Sequence, residues 1–193
     1  ANGVAGLQGR TFADHTVTVT GAAYDLAQAT VAPALTLGNV RVGAANPLAV
    51  TNTVFLSATY QDSLDVVATS ANAKLGFANP AKIDAGLSGD VAVTAVAAGS
   101  LAGNIALALT SNANGLAGLT NEALVGQSVA VSGAAYDLAR ATLASGTLAM
   151  GNVRLGQSVA MGVTNTATTD AAFQDSLDVL ATSANGSLTV VSP

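Results

Sequence analysis

Short stretches of strictly alternating apolar and polar residues run through the chain. Residues 16–20 read TVTVT, residues 128–132 read SVAVS, and every second residue of 105–109 is Ile or Leu. An alternation of period two is typical of half-buried strands, because successive side chains of a strand point to opposite faces. Asn-Gly pairs punctuate these stretches, and no segment keeps the three-and-four spacing of an amphipathic helix. The pattern predicts an all-β chain.

The sequence repeats itself after about 112 residues. Residues 1–27 and 113–139 are identical at fifteen positions. After a one-residue insertion, the segments GNVRVG at 38–43, TNT at 51–53 and QDSLDV at 61–66 recur 113 residues later, the first with one substitution. Residues related in this way are called counterparts below. A unit of this length is too long for a solenoid repeat and has the size of a small antiparallel β-sandwich domain.

The repeat also predicts the domain boundaries. If each sandwich opens near Thr30 and closes with the strand at 128–132, residues 28–139 form one complete domain. Residues 1–27 then correspond to the closing strand of a preceding or partner-chain sandwich, and residues 140–193 to the first half of a following one. A half-sandwich alone would expose its core and its strand edges. Two explanations stay open: the halves join between chains, or the sequence is a window on a longer tandem array.

Composition narrows the classes of function. Half of the residues are hydrophobic and 9% are charged, with six basic residues and a net charge of −5, which excludes a nucleic-acid-binding surface. The absence of cysteine excludes disulfides, thiolate zinc sites and cysteine nucleophiles. The longest apolar stretch, 91–110, is broken by glycine and polar residues, so we expect no integral membrane segment. So few charges favour a surface that is covered by copies of the same protein or by its neighbours.

Two motifs carry a family resemblance. The segments LGNVRVG at 37–43 and LAVTNT at 48–53 resemble the signature of bacterial choice-of-anchor D repeats, which are similar to immunoglobulin-like domains of the Hydin type. Residues 109–119 and 129–136 resemble the closing strands of that family. The resemblance covers essentially the whole chain, once completely and once in part. It implies tandem immunoglobulin-like antiparallel β-sandwiches in a secreted or cell-surface protein of a Gram-negative bacterium.

Acidic residues retained in both copies are the candidates for a metal site. The three pairs are Asp25 and Asp137, Asp62 and Asp175, and Asp65 and Asp178. Clustered carboxylates at a domain junction are ligands for calcium, which makes Asp25 and Asp137 the calcium candidates. The alternative is structural: Asp25 caps a turn between domains, while Asp62 and Asp65 point to opposite faces of a strand. We favour the structural interpretation and expect no cofactor.

Other repeated side chains also predict structural roles. Arg41 recurs as Arg154, and we interpret each as the ion-pair partner of a repeated aspartate, which holds the strand turn in register, rather than as a ligand contact. Tyr24 and Tyr136 each precede a repeated aspartate at the end of a closing strand. We expect them to pack between domains, because aromatic sugar-binding platforms need several rings.

No titratable groups converge on an active site. His15 is the only histidine and its counterpart is Gln127, so no Ser-His-Asp arrangement is retained. We therefore predict a structural protein rather than an enzyme, which assembles with copies of itself into a filament or surface layer, such as a biofilm matrix, by head-to-tail strand complementation. The alternative is a surface adhesin or carbohydrate-binding module whose loops at 55–60 and 166–173 bind a ligand.

Overall fold

Strands dominate the computed structural model, which describes residues 5–6, 10–167 and 170–191. Within 29–136 the strands are β1 (Ala29–Val31), β2 (Ala34–Arg41), β3 (Ala45–Asn52), β4 (Ser63–Ser70), β5 (Leu75–Ala78), β6 (Ser88–Ala95), β7 (Gly99–Ser100), β8 (Gly103–Asn112), β9 (Glu122–Ala123) and β10 (Gln127–Tyr136). Further along the chain lie β11 (Ala141–Leu143) and β12 (Val163–Asn165), and short 3₁₀ helices span Ala58–Tyr60 and Ala171–Phe173. The prediction of an all-β chain is confirmed.

Residues 29–136, the first unit, form two sheets. The first has the order β1-β3-β6-β5 with antiparallel neighbours. The second has the order β2-β10-β8-β4, with β7 paired to β10 and β9 paired to β8. Strand β10 runs antiparallel to β8 but parallel to β2. The last long strand of the unit therefore lies between β8 and the edge strand β2.

One hydrophobic core joins the two sheets. Its buried residues include Leu48, Val50, Val91 and Val93 from the first sheet, and Leu64, Val66, Ile105, Leu107, Val129 and Val131 from the second. Every second residue of β8 from Ile105 to Ser111 is buried, which the period-two pattern predicts. Val40 in β2 and Val42 just after it are only half-buried, because β2 is the edge strand of its sheet.

The N-terminal tail, residues 10–27, contains no strand. Residues 16–20, predicted as a strand, form none within the single chain, although their counterpart at 128–132 lies within β10. Strand β10 has hydrogen-bonded neighbours on both sides, whereas an isolated strand is not stable in water. Val17 and Val19 are consequently 81% and 88% exposed, while the counterparts Val129 and Val131 are buried.

Residues 140–191 begin a second unit in the same manner as the first. Strands β11 and β12 pair antiparallel, as their counterparts β1 and β3 do. Residues 147–154 and 176–183, the counterparts of β2 and β4, form no strands. Parts of three predicted segments lie outside the described residues. They are residues 1–4 and 7–9 of the closing-strand segment, 168–169 of the second ligand loop and 192–193 of the half-sandwich.

Candidate functional site

The buried side chain of Asn52 organises the end of β3, where the tail enters the first unit. Its Oδ1 accepts hydrogen bonds from the N–H of Gln28 at 3.0 Å and from Nε2 of Gln61 at 3.1 Å. Its Nδ2 donates to the carbonyl oxygens of Asp62 at 2.9 Å and Ile83 at 3.1 Å. Because every polar atom of the side chain has a partner, Asn52 fixes the start of β4 against the start of the unit.

Asp25 joins the tail to the first unit through its backbone. Its N–H donates to the carbonyl oxygen of Tyr60 at 2.8 Å, and its carbonyl oxygen accepts from the N–H of Asp62 at 2.9 Å. The ring of Tyr24 meets the ring of Tyr60 edge to face, with centroids 5.6 Å apart. The N–H of Ala27 then donates to the hydroxyl oxygen of Ser111 at 2.8 Å. The last four residues of the tail are therefore held firmly, in contrast to the exposed residues before them.

The same junction recurs where β10 leaves the first unit. The N–H of Asp137 donates to the carbonyl oxygen of Phe173 at 2.9 Å, and its carbonyl oxygen accepts from the N–H of Asp175 at 2.9 Å. The rings of Tyr136 and Phe173 lie 5.8 Å apart. The predicted packing role of Tyr24 and Tyr136 corresponds to these two ring contacts, each between the end of a closing-strand segment and the following unit.

Asn165 and Gln174 take the places of Asn52 and Gln61 in the second unit. Oδ1 of Asn165 accepts from the N–H of Arg140 at 3.0 Å, and its Nδ2 donates to the carbonyl oxygen of Asp175 at 2.8 Å. Nε2 of Gln174 donates to the carbonyl oxygen of Thr166 at 3.0 Å, as Nε2 of Gln61 does to that of Thr53 at 2.8 Å. The unit-to-unit junction is thus built twice from one set of polar residues.

An ion pair also spans the second junction, the one at Asp137; the junction at Asp25 is the first. Arg41, the last residue of β2, contacts the carboxylate of Asp175 in the second unit. In the parallel pairing of β2 with β10, Arg41 is the register partner of Tyr136. Charge-assisted pairs of this kind fix geometry as well as adding energy. The pair joins Arg41 to one of the repeated aspartates and links the two units, in addition to the backbone bonds at Asp137.

Asp62, the counterpart of Asp175, forms no ion pair with any residue that the structure describes. It is 5% exposed, and its Oδ2 accepts from the hydroxyl of Ser111 at 2.8 Å. Its Oδ1 is buried and, within the described part of the chain, has no hydrogen-bond donor. A buried carboxylate oxygen without a donor is costly, since desolvation is not offset. Arg154, the counterpart of Arg41, is exposed and forms no ion pair with any residue that the structure describes.

The other candidate residues have separate surroundings in the part of the chain that the structure describes. Nδ2 of Asn112 donates to Oδ2 of Asp65 at 2.7 Å, so Asp62 and Asp65 have separate partners. Among residues 5–6, 10–167 and 170–191, no group of three or more His, Cys, Asp or Glu could hold a metal ion. His15 is exposed in the tail. Tyr60 and Phe173, the last residues of the two predicted ligand loops, make the ring contacts at the two junctions.

A groove of about 640 Å³ opens on the second unit. It is lined by Met161, Gly162, Val163, Asn165, Ser176, Leu177 and Val179. The counterparts of its apolar residues Met161, Val163, Leu177 and Val179 are Leu48, Val50, Leu64 and Val66, all of which are buried in the core of the first unit. The groove is therefore the uncovered half-core of the second unit. A smaller cavity of about 380 Å³ lies where the tail enters the first unit, beside Phe55 and Leu124.

No protein-family model, curated protein or solved structure matches this chain. The resemblance to choice-of-anchor D repeats therefore stays a prediction. None of the helices in the described residues is long and apolar enough to cross a membrane.

Asn52 and Gln61 were not among the candidate residues, although both belong to segments that recur. A signal for them was present. Both are polar residues retained as Asn165 and Gln174, one at the end of an alternating strand and the other just before the next strand. At such a position a retained amide side chain indicates a buried hydrogen-bonding role, because chain segments meet there and leave backbone groups to be satisfied.

Proposed function

We propose that this chain is a structural extracellular or cell-surface protein of immunoglobulin-like sandwich repeats, which assembles head to tail into a filament or surface layer. Each chain donates its N-terminal tail to the second unit of the next chain. One observation carries the proposal: residues 15–24 of the tail and residues 147–154 are counterparts of the paired strands β10 and β2, yet neither segment forms a strand in the described structure.

The register of β10 on β2 specifies how the two segments fit. In the first unit, Val131 lies opposite Leu35, Gly133 opposite Gly38, and Tyr136 opposite Arg41. Under this proposal, the same register would align residues 18–24 of one chain parallel to residues 147–154 of the next. Opposite each other are then Val19 and Leu148, Gly21 and Gly151, and Tyr24 and Arg154. Each of these three pairs therefore keeps the types of residue that its counterpart pair has.

Apolar surface supplies the driving force for this contact. Val17 and Val19 are exposed on the tail, and the groove on the second unit exposes the apolar side chains that a closed sandwich buries. Burying one such side chain contributes about 1.5–3 kcal/mol. The chain also has only two lysines and one glutamate. It therefore carries few of the charges that protect strand edges from pairing with other chains.

The receiving segment already has the local conformation of its paired counterpart. Gly151 and Gly156 have φ of 61° and 86°, close to the 66° and 90° of Gly38 and Gly43. The N–H of Gln157 donates to the carbonyl oxygen of Arg154 at 3.1 Å, the same turn that Ala44 and Arg41 form at 3.0 Å. A segment ordered before binding loses less conformational entropy when it pairs.

The second candidate function is ligand binding by a surface adhesin or carbohydrate-binding module. The observation in its favour is that Phe55 and Leu56, in the first predicted ligand loop, are largely exposed. Binding of labelled protein to a panel of immobilised polysaccharides, with Phe55→Ala and Leu56→Ala as comparison variants, tests this candidate. Saturable binding that both variants lose would favour it over assembly alone.

Electron microscopy and sedimentation velocity of the full chain test the assembly. We expect fibres or concentration-dependent oligomers, which are lost when residues 1–20 are deleted or when Gly21 is changed to Val. A Cβ on Gly21 has nothing within 4 Å, so the fold tolerates the change, whereas a Cβ on its counterpart Gly133 would lie 2.6 Å from the carbonyl oxygen of Gly38. The matched control is Gly186→Val, also in open space. Monomers of the unaltered chain, or assembly that persists in both variants, would refute the proposal.

A further inference from the structure

We infer that Asp62 of one chain and Arg154 of a second copy form the ion pair that sets register and partner choice at the junction between chains. The inference rests on the proposed head-to-tail assembly and adds to it a specificity-determining contact. Its starting point is Oδ1 of Asp62, a buried carboxylate oxygen for which the described residues supply no donor.

The second junction shows what occupies the equivalent position. There the carbonyl oxygen of Asp137 accepts from the N–H of Asp175, and Arg41, opposite Tyr136 in the strand register, contacts the carboxylate of Asp175. At the first junction, Asp25 and Asp62 make the same backbone contact. Unlike the second junction, the first has no guanidinium at the aspartate carboxylate among the described residues. In the proposed register of the donated tail, Arg154 of the second copy lies opposite Tyr24, the residue that precedes Asp25.

The chemistry of the site favours arginine over other donors. Ser111 already donates to Oδ2 of Asp62, so the remaining need is a donor for Oδ1, and a cation offsets the desolvation of a carboxylate far better than a neutral group does. Arg41 and Arg154 are the basic residues retained in both copies. Arg41 contacts Asp175, which leaves Arg154 as the repeated cation with an exposed side chain and no ion pair in the described residues.

A single junction can be isolated with two full-length variants that cannot polymerise. Gly21→Val blocks the tail, so that chain offers only residues 147–154. The double variant Val153→Pro/Leu155→Pro blocks this segment, because the N–H of Val42, the counterpart of Leu155, donates to the carbonyl oxygen of Tyr136 at 3.1 Å and proline has no N–H. Mixed together, the two chains should form one heterodimer, whose Kd is measured by isothermal titration calorimetry.

Charge removal on each side then tests the ion pair. Asp62→Asn is placed in the tail-donating chain and Arg154→Gln in the receiving chain. We expect each change to raise Kd about tenfold or more, and the two together to raise it no further than one alone, as for close charge pairs at interfaces. Arg140→Gln in the receiving chain is the matched control and should leave Kd unchanged, because Arg140 is exposed and its backbone N–H, which donates to Asn165 in the same chain, is retained in the variant.

The outcomes separate the two proposals. A heterodimer whose Kd does not respond to Arg154→Gln would overturn the ion pair and leave head-to-tail assembly intact. Absence of any heterodimer would overturn both the ion pair and the head-to-tail assembly. The guanidinium for Asp62 would then have to come from an earlier repeat of the same polypeptide. Arg154 is exposed, so its variant keeps the test decisive even if Asp62→Asn weakens the fold; thermal melting of each chain checks this point.

Discussion

The N–H of Ala27 and the hydroxyl of Ser111 are joined by a buried 2.8 Å hydrogen bond across 84 residues of sequence. The hydroxyl donates in turn to Oδ2 of Asp62 at 2.8 Å. One serine therefore connects the tail, strand β8 and the start of β4.

Ser111→Ala should lower the free energy of unfolding markedly. It removes the acceptor for Ala27 and the donor for Asp62, and each buried polar group left without a partner costs about 1–3 kcal/mol. Urea denaturation followed by circular dichroism measures the change. Ser128→Ala, on the exposed face of β10, is the control and should stay within about 0.5 kcal/mol of the unaltered protein. Equal effects of the two variants would contradict the relay.

Asn52→Ala should be more damaging than the same change at its counterpart. Asn52 is fully buried, and its loss removes the acceptor of the Gln28 N–H and the Nδ2 donor to the carbonyl oxygen of Asp62, at about 1–3 kcal/mol for each group that water cannot reach. The carbonyl oxygen of Ile83 keeps the N–H of Leu64 as its donor. Asn165 makes similar bonds but is exposed, so water replaces them in Asn165→Ala. Unfolding free energies from urea titration compare the two. A larger loss at Asn165 would show that the core of the second unit is closed.

Leu107→Ala should destabilise the first unit by about 2–5 kcal/mol, since the residue is buried between the sheets and its removal leaves a cavity. The transition midpoint in urea should fall without loss of cooperativity. Leu155→Ala changes the same kind of side chain where it is fully exposed and serves as the control. A change below about 1 kcal/mol at Leu107 would be inconsistent with the close packing of protein cores.

Removal of calcium should leave the melting temperature unchanged. Asp25 and Asp137 contribute backbone groups to the two junctions, and the described residues contain no cluster of three acidic or histidine ligands. Differential scanning calorimetry with and without a chelator is the measurement. A decrease of several degrees that disappears in Asp25→Asn or Asp137→Asn would restore the calcium hypothesis.

The sequence pattern predicts which segments can be strands but not which of them find partners. The patterns at 16–20 and 128–132 have the same period, yet only the second is a strand, because only the second has β2 and β8 as hydrogen-bonded neighbours. These neighbours are far away in sequence, so the local pattern does not reveal them. For the same reason the core positions at Val50 and Ile105 follow from alternation, whereas the half-exposure of Val40 depends on its strand lying at the edge of a sheet.

The site was less accessible to sequence reasoning than the fold. The repeat identified Arg41, Asp62 and Asp175 as retained, and their charges suggested ion pairs. That Arg41 pairs with the next unit, while Asp62 is buried with one oxygen unsatisfied, depends on how two units meet in space. No spacing along a single repeat contains this information.

Because β2 and β10 are different strands, a contact between chains that repeats their pairing joins two different surfaces and makes any assembly built on it polar, with two chemically different ends. One end would present an unpaired tail and an unneutralised Asp62, and the other an open apolar groove and a free Arg154. Growth at the two ends would therefore have separate rates and separate inhibitors. A small proportion of Gly21→Val chains would join one end and terminate it, while the opposite end would continue to elongate.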